Sequence, residues 1–109
     1  MPGYYELKSS SNGKPMFNLV AANHEIILTS ELYESKAAAL AGIDSVRANG
    51  TSLAAFEKRT SSADQPYFVL KAPNGLVIGT SQMYSSEAAR DTGIASVITH
   101  AATTETKEV

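Results

Sequence analysis

Apolar and polar residues alternate over Tyr5-Glu6-Leu7-Lys8, and again where Phe17, Leu19 and Ala21 are interleaved with Met16, Asn18 and Val20. A period of two puts successive side chains on opposite faces of a strand, so two strands are predicted. Asn12-Gly13 lies between them and suits a type I′ hairpin, whose two central residues both need positive φ. A third strand is predicted over Glu25 to Thr29, entered through a corner at Asn23-His24. At Ser35 the period changes. Its side-chain oxygen can cap the free N–H groups of a helix that opens on alanines, and Leu40, Ile43 and Val46 with Arg47 recur at helical spacing.

The same pattern then starts again. At an offset of 51 residues, Tyr5 to Gly50 aligns with Phe56 to Ala101 without a gap, and 19 of the 46 aligned positions are identical, far beyond chance. The matches include Phe17 with Phe68, Ser30 with Ser81, Tyr33 with Tyr84, Ser35 with Ser86 and Gly42 with Gly93. A three-strand unit with one helix buries little by itself. An α+β fold follows, in which residues 5–50 and 56–101 join as one pseudo-twofold domain. One antiparallel sheet carries both helices on one face, and residues 102–109 form an edge strand or a loose tail. Gly42 and Gly93 fall inside the helices, where glycine costs about 1 kcal/mol against alanine. Their presence in both copies predicts a close approach at that point.

Composition changes this picture little and narrows function somewhat. A chain of 109 residues with 43% hydrophobic and 18% charged residues is an ordinary globular mixture. Without cysteine there is no disulfide, thiolate nucleophile or thiolate metal site, which suits a reducing, cytoplasmic setting. No apolar stretch approaches the ~18 residues of a membrane helix. With a net charge of −2 and a pI near 5.6, no bulk electrostatic pull on nucleic acid or anionic lipid is expected, and only a local basic patch would attract either.

The run Ile27-Leu28-Thr29-Ser30-Glu31-Leu32-Tyr33, with Gly42-Ile43-Asp44-Ser45-Val46-Arg47 after it, resembles the YegP-like family of small bacterial proteins. Gly79-Thr80-Ser81-Gln82-Met83-Tyr84 and Gly93-Ile94-Ala95-Ser96-Val97 form the partner motif. The resemblance spans nearly the whole chain. It implies two copies of three strands, a helix and a further strand, sharing one sheet and exchanging their last strands. Single-copy relatives would reach the same shape as homodimers. It supplies no activity, cofactor or catalytic residue.

Chemistry-bearing residues are few. His24 and His100 occupy non-equivalent positions and no ligand cluster accompanies them, so they read as turn or helix-end residues; neither a metal nor a cofactor is expected. Glu6 and Glu57 are equivalent, and a twofold arrangement bringing them together would set up an acid–base pair. Exposed ion pairs with Lys8 and Arg59 are the simpler expectation. Tyr33 and Tyr84 mark the strand-to-helix loops and are expected to fix those corners, with ligand contact as the alternative. The outward sheet face carries Met16, Val20, Tyr67 and Val69 with Asn18, Lys8, Arg59 and Lys71, an apolar strip edged by cations. The leading expectation is a non-enzymatic, monomeric binding or structural module that offers a sheet face or strand edge to a protein or peptide. The runner-up is a nucleic-acid binder that stacks bases on Tyr67 and meets phosphate with Lys8, Arg59 and Lys71. An enzyme using Glu6 and Glu57 ranks last.

Overall fold

The computed structural model describes residues 3–109. In the first copy β1 (Tyr4–Ser9), β2 (Pro15–Val20) and β3 (Ile26–Ser30) precede α1 (Lys36–Asn49). In the second, β4 (Phe56–Thr60), β5 (Pro66–Lys71) and β6 (Val77–Thr80) precede α2 (Glu87–His100), and β7 (Thr106–Glu108) follows. The seven strands form one sheet in the order β4-β5-β6-β3-β2-β1-β7. Every pairing is antiparallel except that of β7, which runs parallel to β1. The C-terminal segment is therefore an edge strand, and the sheet is mixed. Each helix delivers the chain to an outer strand of the other half, since β4 follows α1 and pairs with β5, while β7 follows α2 and lies beside β1.

The hairpins differ from the type I′ expectation. Ser10 N–H donates to Lys14 O at 2.8 Å, Gly13 N–H donates to Ser10 O at 2.9 Å, and Gly13, not Asn12, has positive φ. This is a three-residue loop, a type I turn closed by one left-handed residue. The same bonds recur at Ala21–Glu25, Ser61–Gln65 and Ala72–Leu76, with His24, Asp64 and Gly75 in the left-handed place. His24 is thus an exposed turn residue standing where the second copy has Gly75.

Both helices begin as expected, with Ser35 and Ser86 accepting from Ala38 N–H and Ala89 N–H at 3.1 Å. Their buried stripes are Ala39, Gly42, Ile43, Val46 and Arg90, Gly93, Ile94, Val97; Leu40 points to solvent. A methyl group on Gly42 would overlap the Tyr33 hydroxyl, and one on Gly93 would overlap that of Tyr84. The helix glycines therefore seat the tyrosines. Each ring also stacks on a core phenylalanine, Tyr33 on Phe17 at 6.0 Å and Tyr84 on Phe68 at 6.2 Å. The tie to the neighbouring strand comes from the main chain, where Tyr33 N–H and Tyr84 N–H donate to Pro15 O and Pro66 O at 2.8 Å.

The two halves meet where β3 pairs with β6, through Thr29↔Thr80 and Ser30↔Gly79. The pseudo-twofold axis passes here, so equivalent side chains crowd one another. Leu28 is fully buried, and a Cβ on its equivalent Gly79 would lie 2.8 Å from Leu28 Cγ and 3.1 Å from Thr29 O. The helix C-termini repeat the problem with the roles reversed. A Cβ on Gly50 would lie 2.8 Å from Cβ of its equivalent, Ala101. At both contacts one copy gives up a side chain so that the other can fill the gap. Gly79→Ala is expected to destabilise the protein by about 1–3 kcal/mol, an overpacking cost, although glycine in a strand is ordinarily a weak choice. Adding Leu28→Ala should return part of that loss. Chemical denaturation of the two single variants and the double variant measures this, and strictly additive effects would show that the two positions do not compete for space.

Candidate functional site

The outward sheet face is less open than alternation alone suggests. Val69 lies between Glu57 of β4 and Thr80 of β6, and between Tyr67 and Lys71 along β5; this ring of long side chains leaves it 1% exposed. Val20, between Tyr4 and Ile26, is 2% exposed. Val69 is thus removed from the candidate surface, while Met16 and Tyr67 stay half-buried.

The cations are also dispersed. Arg59 and Lys71 both converge on Glu57, Lys71 Nζ at 2.7 Å from its Oε1 and Arg59 Nε against Oε2. Lys8 stands on β1, at the far side of the sheet. Two of the three proposed phosphate contacts therefore share a single carboxylate, which leaves that cluster with one net positive charge instead of two. Glu6 and Glu57 are kept apart as well: β1 and β4 are five strand spacings from each other, roughly 24 Å at ~4.8 Å per spacing. That distance excludes a shared acid–base pair. Glu6 accepts a hydrogen bond from Asn18 Nδ2 at 3.1 Å rather than pairing with Lys8.

The remaining polar candidates are occupied by structure. Ser30 Oγ accepts from Phe17 N–H at 2.8 Å and donates to Glu31 O at 2.8 Å, and Ser81 repeats this with Phe68 and Gln82. Burial raises the hydroxyl pKa of both Tyr33 and Tyr84 above the ordinary phenol value, keeping them neutral. His100 joins α2 to the β2–β3 turn, its Nδ1 2.8 Å from Ser96 O and its Nε2 accepting from Ala22 N–H at 3.4 Å. Among the described residues no group of three or more His, Asp or Glu is placed to hold a metal ion, and no helix is long and apolar enough to cross a membrane.

What distinguishes the two ends of the sheet is β7. Tyr5 N–H donates to Glu105 O at 3.0 Å and Val109 N–H to Leu7 O at 2.9 Å, so the outer main-chain groups of β1 are satisfied. Side chains reinforce the seat. Arg47 donates to Thr103 O and to Thr106 Oγ1 at 2.8 and 3.1 Å, and Lys36 Nζ meets Glu108 Oε1 at 2.7 Å. At the other end β4 pairs only with β5 among the described residues, and its outer edge is open. Phe56 N–H turns back to Leu53 O, leaving Lys58 and Thr60 with unpaired outward groups. A cavity of about 490 Å³ opens at the start of this strand, lined by Asn49, Ser52, Ala55, Phe56, Lys71 and Pro73. Its origin is legible in the repeat. In the first half the equivalents of Ala55, Lys71 and Asn49 are Tyr4, Val20 and His100, and His100 closes on Ala22, the equivalent of the lining residue Pro73. Leu53, between two lining residues in sequence, is 63% exposed.

The expectation of a sheet face or strand edge did not say which edge is open, and the cavity beside it was missed. The available signal was the set of positions at which the copies disagree, together with the return of the first-strand position a third time at Thr106–Glu108.

Hydrogen bonds from Lys71, then from Arg59, lower the Glu57 pKa below the ordinary glutamate value. A lowered carboxyl pKa contributes stability above the ordinary value of ~4.3 that is lost as pH falls through the folded value. Lys71→Ala should therefore raise the titration midpoint of Glu57, read from its side-chain carboxyl resonance. A midpoint unmoved by the substitution would show that Lys71 does not hold this carboxylate.

A family profile described as "Domain of unknown function (DUF1508)" matches residues 10–57 and 61–108. A UPF0339 protein of Shewanella oneidensis is 52% identical over 109 residues, all of this chain and 99% of that protein. The UPF0339 protein YegP of Yersinia pestis is 48% identical over 107 residues, 98% of this chain and 96% of that one. Two solution NMR structures share the fold. The Shewanella oneidensis UPF0339 structure has a TM-score of 0.91 at 53% identity, covering 99% of this chain and 92% of that one. That of yegP from E. coli, titled a protein of unknown function, has a TM-score of 0.93 at 47% identity, covering 99% and 93%. With both copies matched and near-half identity over its whole length, the chain belongs to the DUF1508 family, in the two-copy form that includes YegP.

Proposed function

We propose that this protein is a non-enzymatic module that captures an extended segment of a partner protein along the outer edge of β4. The observation that carries this reading is the inequality of the two sheet edges: β1 is closed by the chain's own β7, while the equivalent edge of β4 has no strand beside it among the described residues. An open edge takes a strand by β-augmentation, in which main-chain hydrogen bonds provide affinity and adjacent pockets select side chains. The cavity beside Ala55 and Phe56 is such a pocket. A catalytic role gains no support from the serine hydroxyls, both committed to main-chain bonds, or from the two separated glutamates.

The side chains of β4 favour a foreign strand over a second copy. Two β4 strands paired antiparallel about Lys58 would set Thr60 of one copy opposite Phe56 of the other, where a hydroxyl beside Ile98 loses its hydration without gaining a partner. The protein accordingly acts as a monomer.

The test is selection of random displayed peptides on the wild-type protein, followed by binding of the enriched sequences to Lys58→Pro and Tyr67→Ala. Lys58 turns its N–H to the open side, so proline there removes no bond of the sheet while blocking a docked strand. Enriched peptides should lose binding to Lys58→Pro and keep it on Tyr67→Ala. Peptides that bind Lys58→Pro as well as the wild type would overturn the reading.

A further inference from the structure

The β7 seat serves as a template for the occupant of the open edge. We infer that the β4 edge takes a segment running parallel to β4, with an apolar residue opposite Phe56 and a basic residue opposite Lys58. This rests on the edge-capture reading above and adds direction and chemistry to it.

Direction follows from the pseudo-twofold symmetry. β7 runs parallel to β1 with Thr106 opposite Tyr5, Lys107 opposite Glu6 and Glu108 opposite Leu7. The rotation that carries β1 onto β4 carries this seat to the outer side of β4, where Phe56, Glu57 and Lys58 replace Tyr5, Glu6 and Leu7. Chemistry follows from the helix side chains that face the seat. On the first half, Arg47 binds Thr106 and Lys36 binds Glu108. At the equivalent positions of α2 stand Ile98 and Glu87. A hydroxyl beside Ile98 would be dehydrated without a partner, and a carboxylate beside Glu87 would be repelled. An apolar residue and a cation suit the same two places.

Glu87 is available for such a cation. Its side chain is 82% exposed, and its nearest basic partner, Arg90 Nη2, lies at 3.9 Å, while the same guanidinium sits 3.2 Å from Asp91. Lys58, the one cation of β4 on this face, is already 3.2 Å from Asp91. The middle residue of the incoming segment faces outward, as Lys107 does over the Tyr4 ring at 4.3 Å. With Ala55 in place of Tyr4, its long side chain reaches the cavity instead. The protein's own tail therefore fits its own seat and misfits the open one.

Two synthetic octapeptides test this: residues 102–109 as they stand, and the same peptide carrying Thr106→Val and Glu108→Lys. The readout is the amide resonances of Lys58 and Thr60 in the full-length protein, titrated with each peptide. The altered peptide should bind at least about tenfold more tightly than the native one, shift these amides, and broaden the resonances at the start of β4 when it carries a spin label at its N-terminus. Glu87→Lys, alone or with Ile98→Arg, should reverse the preference by restoring the chemistry of the β7 seat. Equal shifts from both peptides, or broadening at Thr60 instead of Phe56, would overturn the inferred chemistry or direction and leave edge capture standing. No perturbation of β4 by either peptide, on the wild type and on the Glu87→Lys protein alike, would overturn both.

Discussion

Leu28 occupies the space that a side chain at position 79 would need, and this exchange of bulk across the β3–β6 pairing lets two similar halves share one sheet. The pairing itself is short, with two register pairs. The packing over it therefore matters more than the ladder. With Leu28 on both sides the seam would be overfilled, and with glycine on both it would hold a void; either costs stability. Gly50 against Ala101 repeats the device at the helix ends, with the glycine in the other copy. A tandem chain can hold such complementary differences. Two identical halves cannot, because each residue would meet itself across the axis.

Fusion also makes the two sheet edges unequal. In a chain of two copies, β1 comes first and β7 last, and both arrive at the same end of the sheet. β1 takes the inner place because Tyr5 contributes a buried ring and a hydroxyl that donates to Ala101 O at 2.6 Å. Lys107 falls at the corresponding point of β7, and burying its charge there would be costly. β7 therefore settles outside, held by Arg47 and Lys36. Among the described residues no further strand reaches β4, and its outer edge is left open.

The strands and helices were legible because one face of each is buried and period follows burial. Phe17 and Leu19 on one copy and Phe68 and Leu70 on the other carry that signal without ambiguity. The hairpin type was not legible, since Asn12-Gly13 suits two turn geometries and the distinction lies in which carbonyl Ser10 N–H finds. β7 gave no alternation because a three-residue edge strand, exposed throughout, buries nothing. Alternation placed Val20 and Val69 correctly on the outward face. It could not report that flanking side chains cover them, which depends on strands far away in sequence. Glu6 and Glu57 illustrate the same point: equivalence within a repeat says nothing about distance until the strand order is known.

Capture of a strand at β4 depends above all on β1 being a covered edge and β4 a free one. Tyr5 and Leu7 direct their main-chain groups at β7, and Lys58, the counterpart of Leu7, directs its own outward. Amide hydrogen exchange in the free protein compares the two directly. Leu7 N–H should be protected to a degree set by opening of the sheet, whereas Lys58 N–H should exchange near the rate of an exposed amide. Protection of Lys58 matching that of Leu7, in a protein shown by sedimentation to be monomeric, would mean that the β4 edge is already covered, and would contradict the account.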